Sequence, residues 1–185
     1  MNIVFKDNNP YFEDTNINDI IKSNSTPFYL YSQNEIEKNY KNLKNHLSSE
    51  IYFAVKANSN QAILKILNNL GAGADVVSIG ELKRSISAGF NPNKIIFEGV
   101  GKSLKDIEYA IDKNIRLINV ESIEELKTIN SLGKSLNKKV NIGVRLNPNI
   151  DAKTLNKIST GKKTDKFGIS IELLDDIINL INSFK

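Results

Sequence analysis

The sequence predicts an α/β fold built on a parallel sheet, and three observations carry that reading. Short apolar runs alternate with helical patterns at a period of roughly twenty to twenty-five residues, the mark of successive βα units. The helical patterns open on Ser or Asn caps. Polar and charged residues follow each apolar run, as they do where an α/β barrel gathers its chemistry at one mouth. Two architectures satisfy the alternation, an open doubly wound sheet and a TIM-type (β/α)8 barrel. An open sheet usually carries a glycine-rich phosphate turn after its first strand. Here that turn is Lys56-Ala57-Asn58-Ser59-Asn60, without glycine, which favours the barrel. About five barrel strands are countable, where eight close a barrel of about 250 residues. The expectation is therefore an incomplete barrel, the N-terminal part of a longer protein, with exposed edge strands.

The elements follow in order. Residues Asn2 to Asp14 read as a short hairpin or an irregular arm. Ile17, Ile20 and Ile21 mark a short helix that Ser25-Thr26-Pro27 ends. Phe28-Tyr29-Leu30-Tyr31 reads as a strand. Ser32 and Glu35 form a capping box ahead of Ile36, Tyr40, Leu43 and Leu47 at helical spacing. Ile51 to Val55 is the first barrel strand, apolar enough to be buried on both faces. Asn58 caps a helix with Ala62, Ile63, Ile66, Leu67 and Leu70, stopped by Gly71. Ala74-Asp75-Val76-Val77 is a strand, and Ser78–Glu81 a second capping box. Ile95 to Phe97 is a strand followed by a helix capped by Ser103. Leu117 to Val120 precedes a third box, Ser122–Glu125. Val140 to Leu146 is the fifth strand, and a last helix begins near Ser170.

Composition narrows the chemistry. The chain has 185 residues, 40% hydrophobic and 25% charged, ordinary values for a globular protein. It has no cysteine, which excludes disulfides and thiolate catalysis. Its single histidine, His46, lies at a polar helix end, so no His/Cys metal site is available. The net charge of +4 is spread, without a run of five like charges, and does not point to nucleic acid. A mild basic balance still helps attract a phosphorylated or carboxylated ligand. No stretch approaches eighteen apolar residues and Met1 to Lys6 is not a signal peptide, so the expectation is a cytoplasmic protein with no membrane partner.

The strand Ile51 to Val55 ends in Lys56. A lysine at a barrel mouth is costly to bury as an ammonium, and that cost disappears if the amine forms a Schiff base with a carbonyl cofactor. The alternative is a side chain snorkelling into solvent. The other strand-end positions are Asn58; Asp75 and Ser78; Glu98, Gly99 and Lys102; Glu121 and Ser122; Arg145 and Asn147. Ser78, Glu81, Ser122 and Glu125 read as helix caps. Asp75 and Arg145 fit either a functional site or a structural ion pair. Gly99-Val100-Gly101-Lys102-Ser103 is similar to the tail of a phosphate loop but lacks its earlier glycine. The long polar segment around Ile158-Ser159-Thr160-Gly161 and Lys166-Phe167-Gly168-Ile169 fits a binding loop or a solvated connection.

Eight of these segments, in register, resemble a known family. They are Thr26 to Tyr31, Tyr52 to Asn58, Gly73 to Leu82, Phe97 to Ser103, Asn119 to Ser122, Arg145 to Pro148, Ile158 to Gly161 and Lys166 to Ile169. The resemblance is to the diaminopimelate decarboxylase family of fold-type III pyridoxal-phosphate enzymes. It implies an alanine-racemase-like barrel over residues 33–185, preceded by an arm and strand, 1–32, that packs with a C-terminal β domain. It implies pyridoxal 5'-phosphate held on Lys56 as the catalytic lysine, with Asp75 and Arg145 in supporting cofactor-binding roles and no metal. The implied reaction converts meso-2,6-diaminopimelate to L-lysine and carbon dioxide, the last step of lysine biosynthesis, in a homodimer. Alternatives are a sister decarboxylase for carboxynorspermidine, ornithine or arginine, or an inactive half-barrel. Relatives often carry a histidine where this chain has Leu155, just before Ile158-Ser159-Thr160-Gly161. The family's ring-stacking histidine, glycine-rich phosphate loop, pyridine-facing acid and C-terminal cysteine and tyrosine all fall beyond Lys185. The 185-residue chain alone is therefore expected to be inactive.

Overall fold

A computed structural model describes residues 3–150 and 167–184. The chain divides into two compact units, Met1–Ser49 and Glu50–Lys185. In the first, β1 (Ile3–Lys6) and β2 (Asn9–Phe12) form an antiparallel hairpin, with β3 (Thr15–Asn16) beside β2. The hairpin turn uses Asp7 and Asn8 at φ 49° and 60°, the left-handed pair that a two-residue turn requires. Helix α1 (Ile17–Ser23) starts where Asn16 accepts from the Asn18 amide. Helix α2 (Gln33–His46) starts where Ser32 accepts from the Glu35 amide. Phe28 to Tyr31 do not form a strand: no neighbouring segment pairs with them among the described residues, and Tyr29 is 89% exposed. Their β propensity has no ladder to join. His46 is exposed, with Nδ1 2.8 Å from the Asn42 carbonyl oxygen.

The second unit holds five parallel strands in sequence order: β4 (Tyr52–Ala54), β5 (Gly73–Val76), β6 (Ile95–Phe97), β7 (Leu117–Val120) and β8 (Ile142–Val144). Helices α3 (Gln61–Asn69), α4 (Ile79–Ser87) and α5 (Leu104–Asp112) supply the first three crossovers, and α6 (Ile123–Ser135) the fourth. The fifth strand is shorter than Val140 to Leu146. The chain leaves the sheet at Arg145, and β9 (Leu146–Asn147) pairs in parallel with β10 (Ile169–Ser170). Helix α7 (Leu174–Ser183) follows a 3-10 turn capped by Ser170.

Capping differs in detail from the sequence pattern. Asn60, not Asn58, caps α3, and Asn58 instead accepts from the Asn60 amide in a local turn. Ser78 and Ser122 cap α4 and α6 as expected. Their glutamate partners reach one residue further back, Glu81 to the Val77 amide and Glu125 to the Glu121 amide. The reciprocal box occurs at Ser103 and Asp106, ahead of α5.

The two faces of the sheet are unlike. Val55, Ala74, Val76, Ile95, Phe97, Ile118 and Val120 point to one face and are at most 1% exposed. They form the core with Leu64, Leu82, Ile107 and Leu126 of the surrounding helices. Burying each large member stabilises the fold by about 1.5–3 kcal/mol. The strands are not buried on both sides. Tyr52, Ala54, Asp75, Ile96, Leu117, Asn119 and Gly143 alternate onto the other face and are half-buried. That face carries polar groups and glycines as well as apolar ones, so it reads as the wall of a site.

Candidate active site

The site grows from the C-terminal ends of these strands. After Ala54 the backbone tightens into a 3-10 turn, Val55–Ala57, closed by the Asn58 amide on the Val55 carbonyl at 3.1 Å. The turn anchors Val55 in the core and leaves Lys56 exposed. Among the described residues no hydrogen bond or ion pair holds the Lys56 amine.

Asp75 lies beside Lys56, one strand over and in register with Ala54. Its Oδ1 is buried without a hydrogen-bond partner. Burial pushes the Asp75 carboxyl above its ordinary range, and the Glu98 carboxylate pushes the same way. The Lys56 ammonium pulls it back, and Glu81 adds a further upward push. Glu98 follows β6, where its amide continues the ladder onto the Val76 carbonyl at 2.8 Å. Its side chain accepts a hydrogen bond from Asn119 Nδ2. Asn119 sits opposite Gly143, where a Cβ would collide with the asparagine side-chain oxygen. Lys56, Asp75, Glu98 and Asn119 thus form a polar row across four strands.

Arg145 lies at the fifth strand and is not brought against Lys56. Its Nη1 donates to Glu121 Oε1 at 3.1 Å, and its guanidinium carbon stands 4.9 Å from the centre of the Phe167 ring. Gly168, at φ +75°, lets the chain pass close to Arg145. A Cβ at Gly168 would stand 2.8 Å from the Arg145 carbonyl oxygen.

Lys102 has a structural role. Its side chain is fully buried, donates to the carbonyls of Gly99 and Asn119 at 2.6 and 2.7 Å, and pairs with Glu125 at 3.0 Å. It is consumed inside the protein and cannot serve as a phosphate-loop lysine. Ile158 to Gly161 and Leu155 lie outside the described residues.

Asn119 is not legible as a site residue from sequence alone. The available signal was a polar side chain in the strand Leu117–Val120 at the same parity as the other inward positions. Glu98 and Glu121 occupy strand-end positions, which by themselves do not give them a role. A concavity of about 660 Å³, lined by Ile129 of α6, Lys138, Val140, Ile142 at the start of β8 and Ile181 of α7 among others, shares none of these residues. The perturbed carboxylate beside a free amine is the better guide to chemistry than the size of a hollow. No group of three or more acids or histidines that could hold a metal occurs among the described residues. No described helix is long and apolar enough to cross a membrane.

Comparison with known proteins adds the family. Residues 33–185 match the sequence model of the pyridoxal-dependent decarboxylase, pyridoxal binding domain. A diaminopimelate decarboxylase from Helicobacter pylori strain J99 is 51% identical over 157 residues, covering 83% of this chain and 39% of that protein. The crystal structure of H. pylori diaminopimelate decarboxylase complexed with L-lysine superposes with a TM-score of 0.86 at 43% identity. It covers 91% of this chain and 44% of that one. The M. jannaschii diaminopimelate decarboxylase in co-complex with L-lysine gives 0.85 at 36%, over 99% and 45%. The chain thus spans less than half the length of these relatives, and its five-stranded sheet is part of an alanine-racemase-like barrel.

Proposed function

The chain belongs to the pyridoxal-dependent decarboxylases, and from that membership we propose that it supplies the cofactor lysine of an enzyme that decarboxylates meso-2,6-diaminopimelate to L-lysine. The observation that carries the reading is Lys56, a free amine on a turn at the barrel mouth, beside a carboxylate with an orphaned oxygen. These residues fit pyridoxal 5'-phosphate. Lys56 would hold it through its amine, and Asp75 leaves an acceptor for a polar atom inside the site. Bound pyridoxal phosphate supplies an electron-withdrawing ring that takes up the electron pair left when carbon dioxide departs.

The chain's own residues do the rest. Asp75, with Glu98 behind it, places carboxylates beside the Lys56 amine and fixes the polarity of that wall. Asn119 orients Glu98, and Gly143 leaves room for Asn119. Arg145 contributes a positive charge at the end of the sheet far from Lys56, past β8. Residues 33–185 form the barrel portion and 1–32 an arm. The intact protein acts in the cytoplasm as a homodimer with sites completed across subunits.

The identity to diaminopimelate decarboxylases supports that substrate over ornithine, arginine or carboxynorspermidine. Assay of the intact protein with each amino acid tests it, by carbon dioxide release and product identification. Lysine formed from meso-diaminopimelate is expected, and preferential turnover of another amino acid would overturn the assignment.

A further inference from the structure

We propose that Glu121 is the positioning residue for Arg145, fixing its guanidinium at the barrel mouth and tying the Phe167–Gly168 backbone to the same point. This rests on the reading of the chain as a pyridoxal-binding domain with Arg145 in its site. The Glu121 side chain is 4% exposed, and three segments meet on its carboxylate. Oε1 accepts from the Gly99 amide at 3.2 Å and from Arg145 Nη1 at 3.1 Å, while Oε2 accepts from the Gly168 amide at 3.0 Å. A buried carboxylate is costly unless it is paired and hydrogen-bonded, and here both oxygens are satisfied. The backbone is fixed too, because Glu125 accepts from the Glu121 amide at 2.7 Å.

The consequence falls on Arg145. One edge of its guanidinium is taken by Glu121 and its plane lies near the Phe167 ring, yet 35% of its side chain remains exposed. A cation held this way presents its remaining N–H groups in a set direction. That suits a planar or tetrahedral anion, a carboxylate or a phosphate. Glu121 is too buried to touch a ligand itself and acts through Arg145.

The test uses the intact protein that carries this chain, with Glu121→Gln, Glu121→Asp, Arg145→Met and the double variant Glu121→Gln/Arg145→Met. Gln keeps the shape but turns one acceptor into a donor facing an N–H group. Three quantities are read: the dissociation constant for pyridoxal phosphate, the KM for substrate, and Tm. Glu121→Gln and Arg145→Met are expected to raise the same constant, by about tenfold to a hundredfold, the range spanned by a hydrogen bond to a charged group. A change in the cofactor constant assigns the anion to the cofactor phosphate, and a change in KM assigns it to a substrate carboxylate. The double variant is expected to be no worse than Arg145→Met. The proposal is overturned if the Glu121 variants lower Tm but leave both constants unchanged, or if the two effects multiply. Should the Glu121 variants not fold, unchanged constants in Arg145→Met overturn it alone. Failure of the wild-type protein to take up pyridoxal phosphate would instead defeat the functional reading beneath it.

Discussion

Asp75 is held in a state that folding alone does not favour. Its folded pKa lies above the ordinary 3.8, because burial and Glu98 outweigh the attraction of Lys56. Between the ordinary and the raised value the folded protein binds more protons than the unfolded chain. Stability therefore falls as pH rises through that window, and the full penalty is present above it. Asp75→Asn is expected to raise Tm at pH 7 and to lose that advantage as pH drops below the ordinary carboxyl value. Thermal melts of both proteins from pH 3 to pH 8 check this, and a less stable variant at neutral pH would contradict it. Such strain at a site is a common stability–function compromise. Lys102 makes the opposite case: removing it leaves Glu125 without its buried partner. Lys102→Met is expected to cost about 3–5 kcal/mol in denaturant unfolding. Lys56 and Lys102 both follow strands, and their different fates were not readable from local sequence. The partner that consumes Lys102 lies 23 residues away and is reached only through the fold.

Elements were legible where the signal was local. The Ser caps and all five barrel strands follow from hydroxyl spacing and apolar runs, whereas residues 2–14 read equally as a hairpin or an irregular arm and the structure makes them a hairpin. They were misread where pairing decides. Phe28 to Tyr31 has strand composition but no strand beside it. The fifth strand ends early because Arg145 turns to Glu121 and β9 pairs with β10 instead. Gly168 shows how narrow that turn is. Its positive φ and the 2.8 Å approach to the Arg145 carbonyl both exclude a side chain. Gly168→Ala is expected to destabilise the protein by about 1–3 kcal/mol, the usual range for a residue forced into this backbone region. The same variant should also weaken whatever depends on Arg145. A Tm equal to wild type would show that the close approach does not constrain the chain.

At the scale of the molecule, the sequence order of the strands makes a sheet with one sealed face and one polar, half-open face. The alternation that reveals the βα units is a pattern of hydrophobicity, so it survives in the sequence. The convergence of Asp75, Glu98 and Asn119 on one wall depends on register, which the strand parity alone carries. In the five-stranded sheet β4 and β8 are the outer described strands, and Tyr52, Ile96 and Leu117 lie on the half-open face. The 185-residue chain prepared alone is expected to self-associate through these surfaces and to release no carbon dioxide from meso-diaminopimelate. Light scattering and a carbon dioxide assay check the two halves of that expectation, and lysine formed by the isolated chain would contradict the second.

In the proposed function a single amine, that of Lys56, carries the cofactor. Borohydride reduction of the pyridoxal-loaded intact protein, followed by peptide mapping, tests it most directly. One reduced pyridoxyl label is expected, on the peptide containing Lys56, and none in Lys56→Ala. A label on another lysine, or an unchanged yield in the variant, would contradict it.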